Sequence, residues 1–447
     1  VHVIVVGAGE VGSYVADRLS KEGHDVAIVE RDPARLRSVS DELDVLTVLG
    51  SGTHPETLRE AGVDRTDILL AVTSDDAVNI VSSMLAKSMG VERTIVRIEA
   101  PELRTRDADQ ILRQSGGDLF IDPDAETANE ILELLDYPGA DEVTLMAGGE
   151  VVIIGARLPA HSPLVNRTLA DIAEEYEPDW DFMVGSIGRG DETIIPRSDH
   201  KLLVDDHLRV VLKRRARRLV VDLLGISRGA TRKVLLLGGG HTAELLATRL
   251  AARGVRVVII ERDPDRARVL ADILDDAMIL KGDVTDATLL EQADVGRFDA
   301  VVAMTAEDDA NILACLYAKS EGARETIAVA HRLALLNLLK EVGIDVALSP
   351  RTATANGVLR FVRGGVAKVA TFLHGETEVI ELEVAVDSPA DGTLVKDLGL
   401  PRNVIIAAIV RDGKSQIGRG RSRLRGRDHV VAISMPEAVD EVRRILG

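Results

Sequence analysis

The chain reads as an α/β protein with two doubly wound parallel sheets, each followed by a small α+β module, and three observations predict this. Two glycine-rich turns, Gly7-Ala8-Gly9-Glu10-Val11-Gly12 and Gly238-Gly239-Gly240-His241-Thr242-Ala243, each stand between an apolar strand pattern and a helix pattern. Each is followed by a second apolar run ending in an acid, Val26-Ala27-Ile28-Val29-Glu30 and Val257-Val258-Ile259-Ile260-Glu261. The likeness then continues along both halves, so the chain is a duplication with a period near half its 447 residues. That period is too long for a solenoid and suits two tandem domain pairs.

The first element of each half is the strand before the turn, Val3-Ile4-Val5-Val6 and Val234-Leu235-Leu236-Leu237. Strand, glycine turn, helix and a downstream acid together make the Rossmann signature, which a lone glycine motif does not. Glu30-Arg31-Asp32-Pro33 recurs as Glu261-Arg262-Asp263-Pro264. Leu70-Ala71-Val72-Thr73-Ser74-Asp75-Asp76 recurs as Val302-Ala303-Met304-Thr305-Ala306-Glu307-Asp308, with Asn79 and Asn311 at equal distances beyond. Ile121-Asp122-Pro123 and Leu348-Ser349-Pro350 are each followed at equal spacing by Ala-Asn.

After about 135 residues, the ordinary span of such a unit, short β-rich segments take over. Val151–Ile154, Met183–Ile187, Thr193–Ile195 and His207–Leu212 are matched by Val379–Val384, Ile405–Val410 and His429–Ile433, with one short helix expected after each Thr-Leu pair (Thr168-Leu169, Thr393-Leu394). The resulting boundaries are 1–135 and 232–362 for the nucleotide-binding units, 136–217 and 363–447 for the small modules, and 218–231 for a linker. The linker follows Arg214-Arg215-Ala216-Arg217-Arg218, read as arginines on a solvated connecting helix.

Composition narrows the function. The formal charge of −19 opposes a nucleic-acid or anionic-membrane partner, because the surface field repels phosphate. No apolar run approaches the ~20 residues that span a bilayer, and no signal-peptide pattern opens the chain. The one cysteine, Cys315, sits in an apolar helical pattern and reads as a core residue. Asp205-Asp206-His207 and Asp428-His429 read as turns at strand starts, with a metal ion or small effector as the other reading.

The residue chemistry builds a nucleotide site. Gly7 permits the tight turn, Gly9 admits a phosphate close to the backbone with Ala8 between them, and Gly12 lets the helix pack near the strand. The amides of Glu10 and Val11, at the positive helix end, would receive the pyrophosphate. Glu30 would accept hydrogen bonds from ribose hydroxyls and repel a 2′-phosphate, favouring NAD(H) or an adenine nucleotide; Arg31 leaves a 2′-phosphate open. Ser51 and Gly52 would border the adenosine, and Thr73 and Ser74 the crevice. In the second half Gly238, Gly239, Gly240, Thr242, Glu261, Arg262, Asp283 and Thr305 take corresponding places. Ala243 replaces the third glycine and His241 replaces Glu10, so this half is either a site for a more highly phosphorylated ligand or a degenerate structural unit.

The N–C–N–C order, both glycine turns, the strand-end Glu30 and Glu261, Thr73-Ser74-Asp75-Asp76, and the Ser-Pro, Thr-Leu, Arg-Asp-Gly and Asp-His pattern of the small modules resemble the TrkA family across essentially the whole chain. These are the cytoplasmic nucleotide-binding subunits of Trk potassium uptake systems, made of two tandem RCK units. The resemblance implies a non-enzymatic homotetrameric gating ring, peripheral to the inner face of the membrane, beneath a TrkH-type integral membrane subunit. It implies NAD(H) and ATP or ADP as ligands, and a ligand-contacting or interface role for Arg97, whose counterpart is Val329.

The competing class is an NAD-dependent oxidoreductase with a duplicated cofactor domain. Hydride transfer needs a positioned acid or base, yet His24 and His54 fall in turn-like segments, His161 precedes Ser162, and His331 and His374 have no evident partners.

Overall fold

The computed structural model describes residues 1–21, 23–104, 116–176, 180–190, 192–362, 367–371 and 377–447. Strands β1 (His2–Val6), β2 (Asp25–Glu30), β3 (Leu46–Leu49), β4 (Ile68–Ala71), β5 (Arg93–Arg97) and β6 (Leu119–Ile121) form one sheet in the order β3-β2-β1-β4-β5-β6. Every pairing is parallel. Val3, Ile4, Val5 and Val6 are buried on both faces, as a parallel sheet covered by helices requires. The order reverses between β1 and β4, and a crevice opens there at the strand C-terminal ends.

The first small module contains β7 (Glu142–Met146), β8 (Val151–Arg157), β9 (Phe182–Arg189), β10 (Glu192–Ile194) and β11 (His207–Lys213), an antiparallel sheet in the order β10-β9-β11-β8-β7. The second half repeats the plan. Strands β12 (Lys233–Leu237), β13 (Arg256–Glu261), β14 (Ala277–Lys281), β15 (Ala300–Ala303), β16 (Thr326–Val329) and β17 (Val346–Leu348) run in the order β14-β13-β12-β15-β16-β17. Its small module orders β18 (Ala367–Thr371), β19 (Glu378–Glu383), β20 (Val404–Arg411), β21 (Lys414–Ile417) and β22 (His429–Ser434) as β18-β19-β22-β20-β21.

Two details differ from the sequence reading. The stretch 218–231 is not all connection: the helix Arg217–Leu224 buries Val220, Val221, Leu223 and Leu224 in the first small module, as Val439–Leu446 does in the second. Arg217 stacks on Tyr137 and Arg215 pairs with Asp181 at 2.8 Å, so part of the basic cluster serves local packing. After Thr393-Leu394 there is only a 3-10 turn, Val395–Asp397, where the first module has the helix Leu169–Tyr176. Gly399, at φ +68°, and Pro401 follow it closely and stop propagation.

The halves interlock. The helix Pro123–Asp136, which follows β6, packs its Ala128, Ile131, Leu132, Leu134 and Leu135 into the core of the second parallel sheet. Reciprocally, the helix Pro350–Val362 inserts Ala355, Val358, Leu359 and Val362 beside Val11, Val15 and Leu19 of the first. Each Val, Leu or Ile among them contributes about 1.5–3 kcal/mol on burial, so the exchange is a major cohesive term. The two small sheets also meet: Val151, Ile153 and Val211 share a cluster with Val379, Val410, Val431 and Ile433.

Candidate nucleotide site

The crevice of the first half is a cavity of about 650 Å³. Gly7, Ala8, Gly9, Glu10, Val11, Glu30, Arg31, Ser51, Gly52, Thr73, Ser74 and Arg97 line it, so the sequence-read residues of this half converge there. Gly12 lies beneath. A Cβ at Gly12 would stand 1.9 Å from the Gly7 carbonyl oxygen, which is why the helix can approach the turn only with glycine there. Gly7 has φ +107°, the left-handed region that glycine tolerates. Around Gly9 nothing lies within 4 Å of a built Cβ, so that side of the turn is open. Gly52 is needed for a different reason: a Cβ would meet Val6 and Ser82 at 2.5 Å.

Glu30 ties the site together. Its Oε2 accepts from the Ala8 amide at 2.7 Å, and Oε1 accepts from Arg31 and Asp32 at 2.8 and 2.9 Å. The carboxylate is thus the clamp on the glycine turn, and it keeps lone pairs to spare for a further hydrogen-bond donor. Asn79, fully buried, forms a second clamp: its Oδ1 accepts from the Thr73 amide and hydroxyl at 2.9 and 2.7 Å, and its Nδ2 donates to the carbonyls of Thr73 and Arg97. The end of β4 and the end of β5 are thereby held in register around the cavity.

Arg97 pairs with Glu99, while its Nε is buried without a hydrogen-bond partner among the described residues. An unsatisfied guanidinium nitrogen beside an open glycine turn and a helix N-terminus fits an anionic ligand. Gly9, Arg97 and the first helical turn could hold phosphates, Glu30 a ribose hydroxyl, and Ser51 and Gly52 could border an adenosine.

The second half keeps the framework and sets different side chains beside the turn. Gly238 has φ +103°, and Glu261 Oε2 accepts from the Gly239 amide at 2.7 Å. Asn311 clamps Thr305 and the Val329 carbonyl as Asn79 does Thr73 and Arg97. Against the turn itself, however, lies Arg266, whose Nε donates to the Gly239 carbonyl at 2.7 Å and whose Nη2 donates to Glu244 at 2.7 Å. A Cβ at Gly239, which stands where the first half has Ala8, would meet Leu270 at 2.5 Å, while around Gly240, the counterpart of Gly9, nothing lies within 4 Å of a Cβ. Asp283 bonds its neighbour Thr285 and is held below the usual carboxylate range by that hydroxyl and amide; Arg262 pairs with Glu307 at 3.2 Å. His241 opens the helix, with Glu244 3.9 Å away.

Family models for the TrkA-N domain match residues 3–131 and 234–350, and those for the TrkA-C domain match 153–225 and 379–447. The Trk system potassium uptake protein TrkA homolog of Archaeoglobus fulgidus is 34% identical over 445 residues, covering 99% of both chains. The Trk system potassium uptake protein TrkA of Halomonas elongata is 32% identical, covering 96% of this chain and 94% of its own. The chain belongs to the TrkA family. Solved structures agree on the fold: the GsuK RCK domain has a TM-score of 0.59 at 18% identity, covering 100% of this chain and 94% of that one. The GsuK channel bound to NAD has a TM-score of 0.61 at 16% identity, covering 100% and 78%.

In this TrkA family member several residues around the first cavity escaped the sequence reading. Ser13, Arg35, Asp75 and Arg351 line it too. Ser13, Arg35 and Asp75 neighbour the motifs, whereas Arg351 comes from the other half of the chain and has no local signal. His331 does have a partner: its amide and Nδ1 lie 2.7 and 3.1 Å from Asp308 Oδ1. Burial pushes Asp308 upward, but the bonds from His331 and Arg332 outweigh it and hold the carboxyl low. His374 lies outside the described residues. Cys315 is fully buried, with its thiol pushed up to about 12 by burial, which suits a core residue. Asp206 and Asp428 accept from Arg189 and Arg411 at 2.7 and 2.6 Å and cap the amides of Leu203 and Arg425, so both act as turn anchors. Among the described residues no group of three or more His, Cys, Asp or Glu is placed to hold a metal, and no helix is long and apolar enough to cross a membrane.

Proposed function

We propose that this protein is a nucleotide-sensing gating-ring subunit that regulates potassium transport through a TrkH-type membrane subunit from the cytoplasmic side, as a homotetramer. NAD(H) or ATP/ADP binds the first cavity, and the second glycine turn serves mainly as structure. Family membership and relatives named as Trk potassium uptake proteins support the regulatory role. The observation that carries the ligand reading is the Arg97 guanidinium, with its buried, unsatisfied Nε, lining the same cavity as the open Gly9 turn and Glu30. The buried Glu30 carboxylate disfavours a 2′-phosphate, so NADP(H) is the weaker ligand.

A ligand shifts a channel equilibrium only through tighter binding to one ring shape. The interlocked helices supply a route, because anything that moves the first turn pushes on Pro350–Val362 of the other half. Calorimetric titration of the full chain with NADH, NAD, ATP and ADP tests the reading, alongside potassium flux in vesicles carrying the membrane subunit. Arg97→Ala should weaken binding about tenfold or more. Wild-type protein that takes up none of the four nucleotides would sink the proposal.

A further inference from the structure

We infer that Arg351, carried by the second half, is the ligand for the outermost phosphate of a nucleotide in the first cavity, and that Glu10 holds its place until phosphate arrives. This rests on the nucleotide reading given above. Arg351 is the second residue of the helix Pro350–Val362, whose apolar face is seated on the first parallel-sheet unit. The docking brings its side chain to the cavity wall shared by Gly9, Glu10, Thr73 and Arg97.

There its guanidinium forms an ion pair with Glu10, the opening residue of the helix behind the glycine turn. The pair is unequal. The Arg351 side chain is 28% exposed, whereas Glu10 is 52% exposed. Burial also pushes the arginine below its ordinary range, a sign that the cation gives up hydration at this spot. A phosphate offers it more: two or three oxygens in fork geometry and a larger charge than one half-exposed carboxylate. Glu10 is moreover misplaced electrostatically once an anion occupies the turn beside it, so phosphate entry displaces Glu10 and takes over Arg351.

The second half shows the opposite choice at the same position. The residue matching Arg351 is Asp124, on the helix that crosses the other way, and it accepts a hydrogen bond from Thr242 at 2.5 Å at the start of the second glycine helix. One crossover helix therefore delivers a cation to its glycine turn and the other delivers an anion. Only the first arrangement attracts phosphate. Because Arg351 belongs to the other half, its phosphate contact closes the seam between halves, and affinity becomes linked to their relative position.

The experiment is a phosphate ladder on the full chain: calorimetric affinities for AMP, ADP and ATP with wild type, R351A and E10Q. Wild-type affinity should rise along the ladder. R351A should weaken ATP about ten- to a hundredfold while leaving AMP within about twofold. E10Q, which removes the competing carboxylate charge, should tighten ATP. An R351A protein with the wild-type ratio of ATP to AMP affinity overturns the inference. If R351A does not fold, E10Q decides: tighter ATP supports the exchange, and unchanged or weaker ATP overturns it. Wild type that binds none of the three and no NAD(H) brings down the proposed function as well, whereas wild type that binds NAD(H) but none of the three, or binding with a ladder indifferent to both substitutions, brings down this inference alone.

Discussion

The two glycine turns share one backbone and have opposite surroundings. Gly7 and Gly238 adopt the same left-handed conformation, Glu30 and Glu261 clamp the next amide at the same distance, and Asn79 and Asn311 strap the same threonine. Yet the first turn lines a cavity with Arg97 and Arg351, while the second has Arg266 bonded to its carbonyls and carries Val329 and Asp124 at the matching positions. The difference separates what a Rossmann unit needs in order to fold from what it needs in order to bind. The clamps belong to the first class and are present twice. Arg97 and Arg351 belong to the second, and their counterparts are Val329 and Asp124.

The largest effect should come from breaking the first turn. Gly12→Ala puts a methyl group 1.9 Å from the Gly7 carbonyl, and because that atom is backbone the helix must move. A loss of about 3–4 kcal/mol in denaturant unfolding is expected, together with loss of nucleotide binding. The reciprocal change Ala243→Gly should cost only about 1 kcal/mol, the helix-propensity difference. Equal costs at the two positions would erase the asymmetry.

Next in size is a charge that differs between halves. Asp118 and Asp345 both accept from a lysine, Lys87 and Lys319, and both cap the amide of a strand threonine. The residue before that threonine is Arg93 in the first half and Glu325 in the second. Glu325 is 1% exposed, accepts from the Gly139 amide at 2.9 Å and stands among Arg228, Lys319 and Asp345. Burial raises its carboxyl to about 7, against the nearby cations and the Gly139 bond. A raised folded-state value means stability that is complete below the unfolded value near 4.5 and is lost as pH climbs through about 7. The loss amounts to about 3 kcal/mol. Glu325→Gln should keep the Gly139 bond and flatten this pH dependence between pH 5 and 8; a melting profile with the wild-type slope would refute it.

These contrasts also mark what the sequence could convey. Strands, turns and the acids at strand ends were legible because they are local: apolar runs of strand length, glycines at fixed spacing, an acid where the second strand stops. Asn79 and Asn311 stood out as repeats, but their clamping role appears only when β4 and β5 lie side by side. Arg351 was beyond reach. The pattern Ala355, Val358, Leu359, Val362 announces an amphipathic helix without saying which sheet covers it, and only docking across more than 300 residues brings Arg351 to Glu10. Arg266 was equally silent, since nothing in its neighbourhood distinguishes it from Arg35 until Glu244, which stands where the first half has Ser13, pulls it over the turn.

The smallest expected effects probe whether the second turn can be converted. Thr242→Val removes the 2.5 Å hydrogen bond to Asp124 and should lower stability by about 1 kcal/mol without creating nucleotide affinity. Asp124→Arg supplies the cation that the first half has, and electrostatics alone would then invite phosphate. Arg266 and Leu270 still occupy the space against Gly239, so the second turn should gain at most weak ATP binding, with Kd in the millimolar range. Adding Arg266→Ala clears one side of the turn, frees Glu244 and should improve that affinity by several-fold, about 1 kcal/mol. If Asp124→Arg alone gave affinity equal to the first site, charge would be the whole difference between the halves. If the double variant bound nothing, Val329 in place of Arg97 would be the deciding change, and steric opening would count for little.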